Sequence, residues 1–270
     1  MRRFEKSSIA VAATLVTLLL AACATSPTGR RQLLMYPENQ VNSMGVAAYE
    51  DLKKNQKISS DPAINKYVQC VSNAILQTLP DDEGKGWEIN VFEDETPNAF
   101  ALPGRKIGVH TGILKTAKNQ SQLAAVIGHE IGHVEAHHSG ERLSVQTTAG
   151  VAAAVAAIAI GSNSSERNMA MAALGVGATV GVILPFSRTQ ESEADEIGLR
   201  YMAKAGFDPN ESIKLWQNMA AEGGGKAPPE FMSTHPSDQT RMARLSKSIP
   251  TVMPSYQQAR AAGRVPNCKR

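Results

Sequence analysis

The sequence has little net charge, few cysteines and no apolar run of full membrane length. Its 28 basic and 25 acidic side chains leave a net charge of +3. Three of the basic residues, Arg2, Arg3 and Lys6, lie with Glu5 ahead of the first apolar stretch. Without residues 1–22 the balance is 25 basic to 24 acidic. So small an excess excludes an electrostatic footprint for nucleic acid. Three cysteines leave room for one disulfide at most. Residues 9–20 are too few to span a bilayer comfortably. Residues 149–160 are equally short and 169–184 are diluted with Gly and Ala, so neither is a convincing membrane span.

What is present begins with a targeting signal. A positive segment, an apolar run and then Leu20-Ala21-Ala22-Cys23 mark residues 1–22 as a piece to remove before the fold is considered. Small residues before a cysteine resemble the lipobox of bacterial lipoproteins, in which the cysteine is diacylated and becomes the mature N-terminus. Alternatives are an ordinary secretory signal or a membrane anchor. Ala24 stands where inner-membrane lipoproteins usually carry Asp, so the resemblance implies an outer-membrane anchor at Cys23 facing the periplasm. Cys70 and Cys268 then remain, and in an oxidising compartment they are expected to pair, with two separate thiols as the alternative.

Residues 23–40, rich in Thr, Ser, Pro, Gly and Arg, suit a tether between lipid and globular part. Residues 41–250 form the expected main domain and 251–270 an irregular tail. Helical spacing runs through Ile64, Tyr67, Val68, Val71, Ile75 and Leu79, opened by Asp61-Pro62. After a break at 80–86 the period becomes two, with Trp87, Ile89 and Val91. Residues 98–102 and 106–110 read as two more strands, joined through Pro103-Gly104. A helix capped by Asn119 or Ser121 follows and runs to about Gly140. The stretch between Thr147 and Phe186 reads as a helical hairpin of small residues, with a membrane-dipping hairpin or an oligomer contact as alternatives. Further helices are expected from Arg188 to Met202, from Pro209 past Met219, and over 238–249.

The densest chemistry is His129-Glu130-Ile131-Gly132-His133. Residues four apart share a helix face, so both imidazoles can reach one zinc ion, and Glu130 lies beside them as a base. Zinc hydrolases hold the ion with three side chains and leave a fourth position for water, so another ligand is needed. His137 and His138 stand one turn further on, about 6 Å by helix rise, out of reach of that ion and suited to a supporting or surface place. The better source is Glu191-Ser192-Glu193-Ala194-Asp195, where a second helix would bring one Glu beside the histidine pair.

With that cluster the chain resembles the zinc metallopeptidases of family forty-eight, the HtpX, BepA and Oma type, and within it the small periplasmic lipoprotein branch. Residues 98–104, Thr111-Gly112 before the motif helix, and Thr234-His235-Pro236-Ser237 ahead of Arg241 match in the same order. The resemblance implies an α+β, mainly helical gluzincin fold with a small sheet beside the motif helix. It implies one Zn2+ on His129, His133 and Glu193, with Glu130 as general base. Asp195 would orient a ligand histidine, and His235 would either stabilise the transition state or block the open position. Arg241 would pair with a site carboxylate. Asn98, Ala99 and Phe100 belong to a strand expected to align an extended substrate.

The resulting expectation is a lipid-anchored endopeptidase that cleaves unfolded or misassembled envelope proteins, with envelope assembly proteins as further partners. The alternatives are a zinc-bound chaperone or assembly lipoprotein with little proteolysis, and a purely structural lipoprotein.

Overall fold

In a computed structural model that describes residues 23–80, 82–159, 186–222, 235 and 239–270, strands are few and helices dominate. The order is β1 (Cys23–Thr25), β2 (Arg31–Leu33), α1 (Glu38–Asn55), α2 (Pro62–Leu76), β3 (Glu88–Phe92), β4 (Ala99–Leu102) and β5 (Lys106–His110). It continues with α3 (Ile113–Thr116), α4 (Gln120–Glu135), α5 (His138–Ala159), α6 (Arg188–Lys204), α7 (Glu211–Glu222) and α8 (Gln239–Ala261). The α+β, mainly helical class expected from the sequence is what the described residues adopt.

The described residues fall into two units. The first holds the antiparallel pair β1–β2, with Cys23 opposite Leu33, and most of α5. Arg30 grips both carboxylate oxygens of Glu141 at 2.6 and 2.7 Å, and the Met35 N–H donates to Ser144 Oγ at 2.9 Å. Residues 23–40 are therefore not a plain tether. They carry a hairpin and the start of α1, and Arg30 has a charged partner that composition does not reveal. The first half of the expected small-residue hairpin lies within α5; its second half is outside the described residues. Among those residues no helix is long and apolar enough to cross a membrane.

The second unit holds the site. Asp61 caps α2 by accepting from the N–H groups of Ala63 and Ile64, and Pro62 occupies the first turn, where its missing N–H costs nothing. The buried stripe Tyr67, Val68, Val71 and Ile75 faces a core shared with Val91, Ile107, Leu123, Ile127, Leu199 and Met202. Helix α1 had no counterpart among the expected elements. Only Gly45 and Tyr49 are buried along it, too narrow a stripe to show as an apolar period. Tyr49 anchors it by donating its hydroxyl hydrogen to the Ile107 carbonyl at 2.6 Å.

The sheet order is β3-β5-β4, with β3 parallel and β4 antiparallel to β5. His110 N–H donates to the Asn98 carbonyl, so alternation places the backbone groups of Asn98 and Phe100 against β5 and those of Ala99 and Ala101 on the outer edge.

Helix α4 begins where Asn119 Oδ1 accepts from the N–H groups of Ser121 and Gln122. It stops at Glu135 rather than near Gly140. His137 takes a left-handed backbone (φ 53°), which ends one helix and redirects the chain into the next. Helix α6 opens with a capping box between Ser187 and Gln190. It then lies almost backbone to backbone on α4. A Cβ at Gly198 would come within 2.7 Å of the His129 nitrogen, and one at Gly132 within 2.8 Å of the Ala194 carbonyl oxygen. The last helix runs past its expected end at 249, through Pro250 and Pro254 to Ala261. Each interior proline costs about 3 kcal/mol, yet Leu245, Ile249, Val252 and Ala259 continue to bury against the core and outweigh it. Beyond α8, Cys268 is joined to Cys70 of α2.

Candidate metal centre

Helix α4 brings His129 and His133 to one face, with their Nε2 atoms 3.0 Å apart. The α4–α6 contact adds Glu191, whose oxygens lie 3.5 Å from His129 Nε2 and 3.4 Å from His133 Nε2. His235 enters from the chain ahead of α8, its Nδ1 3.2 Å from His129 Nε2 and 3.0 Å from Glu191 Oε1. One donor atom from each of these four residues lies within 4.8 Å of the others, and all four are buried. Donors around a tetrahedral zinc stand roughly 3.3–3.6 Å apart, as bond lengths near 2.1 Å require. The observed separations fall close to that range. A second sign of fit is Glu130 Oε1, which is buried without a hydrogen-bond partner. Two imidazole nitrogens, a third imidazole and a carboxylate form a zinc donor set.

The carboxylate in the cluster is Glu191 and not the expected Glu193, and helix geometry gives the reason. At 100° per residue, Glu191 and Asp195 share a face, whereas Glu193 points about 200° away from each. Glu193 sits on the other side of α6 with its Oε2 3.0 Å from His138 Nε2. Asp195 lies 2.9 Å from His129 Nδ1, the place expected of a residue that orients a metal-binding histidine. Arg241 donates to both Asp195 oxygens, at 2.7 and 2.8 Å, and also to Glu191 Oε2. Its guanidinium carbon stands 3.8 Å from the ring centre of Trp216, which stacks against it.

Burial and these neighbours set the charges. Burial and the Arg241 charge work against protonation of His129, but the Asp195 and Glu191 carboxylates prevail and lift it to about 9. Burial carries His133 the other way, well below the usual imidazole range. Burial would raise Glu191, yet its imidazole partners hold it far below the ordinary carboxylate range. Asp195 is likewise lowered, the Arg241 charge overcoming burial. Glu130 is raised, chiefly by burial.

Glu130 bridges the centre and the sheet. Its Oε2 accepts from the Ala101 N–H at 3.3 Å, and His235 Nε2 lies 3.4 Å from its Oε1. The outer edge of β4 therefore faces the base. Of the three residues expected to meet substrate, Ala99 presents its backbone to that edge, while Asn98 and Phe100 turn theirs to β5. The Phe100 ring lies across Gly108 and packs near Tyr49, Phe92 and His110. Phe186, which the sequence did not mark, stacks on His133 and His235, with ring centres 3.9 and 5.2 Å away. Cys23 is exposed at the start of β1.

Two histidines one turn apart, a glutamate beside the first and a carboxylate from a second helix make the donor pattern of a gluzincin-type zinc site. Comparison with known proteins narrows the class. Residues 62–249 match the model of Peptidase family M48, and the chain belongs to that family. It is 39% identical over 165 residues to the mitochondrial metalloendopeptidase OMA1 of Schizosaccharomyces pombe, covering 61% of this chain and 47% of that one. Identity to the Saccharomyces cerevisiae protein of the same name is 36% over 196 residues, or 70% and 53% of the two chains. A putative beta-barrel assembly-enhancing protease of Vibrio cholerae is 28% identical over 202 residues, 73% and 42%. The chain spans about half the length of the curated relatives it matches.

Proposed function

We propose that the chain is a zinc-dependent endopeptidase, anchored as a lipoprotein in the bacterial outer membrane, that cleaves unfolded or misassembled envelope proteins. The observation that carries the catalytic part is the position of Glu130, held between the four-residue donor cluster and the Ala101 N–H of an edge strand. Bound zinc would supply a Lewis acid that acidifies water and polarises a carbonyl. The protein's own residues do the rest. The outer N–H and carbonyl of Ala99 and the Ala101 carbonyl add an extended substrate to the sheet, which favours unfolded chains. Glu130 Oε1 takes a proton from the attacking water and delivers it to the leaving amine. Burial, by raising Glu130, matches it to that exchange. Asp195 and Arg241 hold His129 and Glu191 in place throughout.

Support for the anchor is the segment ending in Leu20-Ala21-Ala22-Cys23, and support for envelope substrates is the resemblance to beta-barrel assembly-enhancing proteases. Digestion of a permanently unfolded protein by wild type and Glu130→Gln, with and without chelator, tests the catalytic part. Cleavage should vanish with either the substitution or the chelator, while Glu130→Gln keeps its zinc; cleavage by that variant at the wild-type rate refutes the mechanism. Labelling with a radioactive fatty acid should mark the wild type and not Cys23→Ser, and an unlabelled wild type refutes the anchor.

One observation favours a second reading. His235 Nδ1 stands among the donors, where a hydrolytic site keeps a position open for water. A resting protein closed by His235 would bind clients and cut little, acting as a chaperone or assembly factor. The His235→Ala variant should then cleave faster than wild type. Equal or slower cleavage argues that His235 serves the transition state instead.

A further inference from the structure

We propose that His138 and Glu193 are positioning residues for the zinc-dependent reaction, forming a carboxylate–imidazole relay that sets the tautomer and ring plane of His133. This inference rests on the zinc reading of the centre. It begins from an asymmetry between the two metal-facing histidines. The outer nitrogen of His129 meets a carboxylate directly, Asp195 Oδ1 at 2.9 Å. That of His133 meets another imidazole: its Nδ1 lies 2.8 Å from His138 Nδ1. The far side of that second ring reaches Glu193, with Nε2 to Oε2 3.0 Å.

Proton accounting gives the chain a direction. His133 Nε2 faces the donor cluster, so a metal ion held there would take its lone pair. The ring hydrogen must then sit on Nδ1, which donates to His138 Nδ1. His138 accepts there, so its own hydrogen sits on Nε2 and points at the Glu193 carboxylate. With a metal on His133 Nε2, both contacts fit this one proton arrangement. A metal-binding imidazole whose other nitrogen donates to a basic partner is a stronger ligand in a defined plane. The fold builds this relay at some cost. The left-handed turn at His137 sends His138 back under His133, and α6 carries a second buried carboxylate on the face opposite Glu191. His138 is 0% exposed and Glu193 5%. A carboxylate buried so deeply needs a partner that donates to it.

The test uses the full chain and reads zinc affinity by chelator competition, together with the absorption bands of the cobalt-substituted protein. His138→Phe keeps the ring shape and removes both nitrogens; zinc affinity should fall about 10–100-fold and the cobalt bands should change. His138→Asn places an amide oxygen where Nδ1 stood, still able to accept from His133, and should recover most of the affinity. From the far end, Glu193→Gln keeps an acceptor for His138 and should stay near wild type, whereas Glu193→Leu should weaken binding as His138→Phe does. A merely structural role predicts equal losses in Asn and Phe, and Gln and Leu, with unchanged cobalt bands. That pattern overturns the proposal, as does wild-type zinc affinity in His138→Phe and Glu193→Leu. If His138→Phe does not fold, the Glu193 pair decides alone. A wild type that binds no zinc, or a His133→Ala variant that binds it undiminished, overturns the metal reading and the relay with it.

Discussion

Glu191, Glu193 and Asp195 lie within five residues of a single helix and have three different partners. Glu191 faces the donor cluster, Asp195 holds a histidine of that cluster, and Glu193 holds His138. Glu191→Ala should therefore abolish zinc binding, while Glu193→Ala weakens it; metal analysis after dialysis separates the two. Arg241 is the counter-charge that lets Glu191 and Asp195 be buried side by side. Removing one partner of a buried ion pair costs about 3–5 kcal/mol, so Arg241→Met should lose that much in urea unfolding of the zinc-free protein. The histidine pair and Glu130 were legible in the sequence because their spacing alone defines a helix face. The third ligand was legible only as a cluster. Matching the pattern of acidic residues selected Glu193, whereas the four-residue step from Glu191 to Asp195 was the better guide. Phe186 and Trp216 carried no signal, since an aromatic residue at helical spacing looks the same whether it packs in a core or against a metal site.

At the scale of elements, the site depends on how closely α4 and α6 approach. A methyl group at Gly198 would meet the backbone of His129 and Gly128, neither of which can rotate away. Overpacking of this kind costs about 1–3 kcal/mol. Gly198→Ala should lose that stability and also bind zinc more weakly, because the shift moves Glu191 away from the histidines; calorimetry with and without zinc reads both effects. The end of α4 carries a pH dependence. Burial and the neighbouring Glu83 push Glu135 from its ordinary 4.5 to about 7, and the Tyr201 hydroxyl donates to it at 3.4 Å. The folded chain thus holds this proton more tightly than the unfolded one. Stability from this group is full below about 4.5, falls as pH rises toward about 7 and is level above. Glu135→Gln should flatten that decline in thermal unfolding followed from pH 4 to pH 8. Elements with a strong period or a cap, α2, β3, β5 and α4, were legible in advance. Helix α1 was not, because so little of it is buried, and the length of α8 was hidden by prolines that read as stops.

For the whole molecule, the disulfide joins the segment after the last helix to α2, across a sequence separation of 198 residues. Loss of a native disulfide typically costs about 2–5 kcal/mol. Cys268→Ser should lower the unfolding temperature under oxidising conditions and leave it unchanged relative to reduced wild type; an unaltered temperature against oxidised wild type would show that the bond contributes nothing. Family and class were readable because the motifs keep their order along most of the chain. Partition into units was not, since the partners of residues 23–40 come from far along the sequence.

Arg241 belongs to α8, which is made after α4 and α6 on a chain built from its N-terminus. Until α8 docks, Glu191 and Asp195 have only the nearby imidazoles to offset their charge, and burying them in the α4–α6 contact is correspondingly costly. Assembly of the donor cluster is in this way made conditional on α8 having been made and docked. A chain still lacking α8 is kept from forming the metal-binding cluster by its own missing cation.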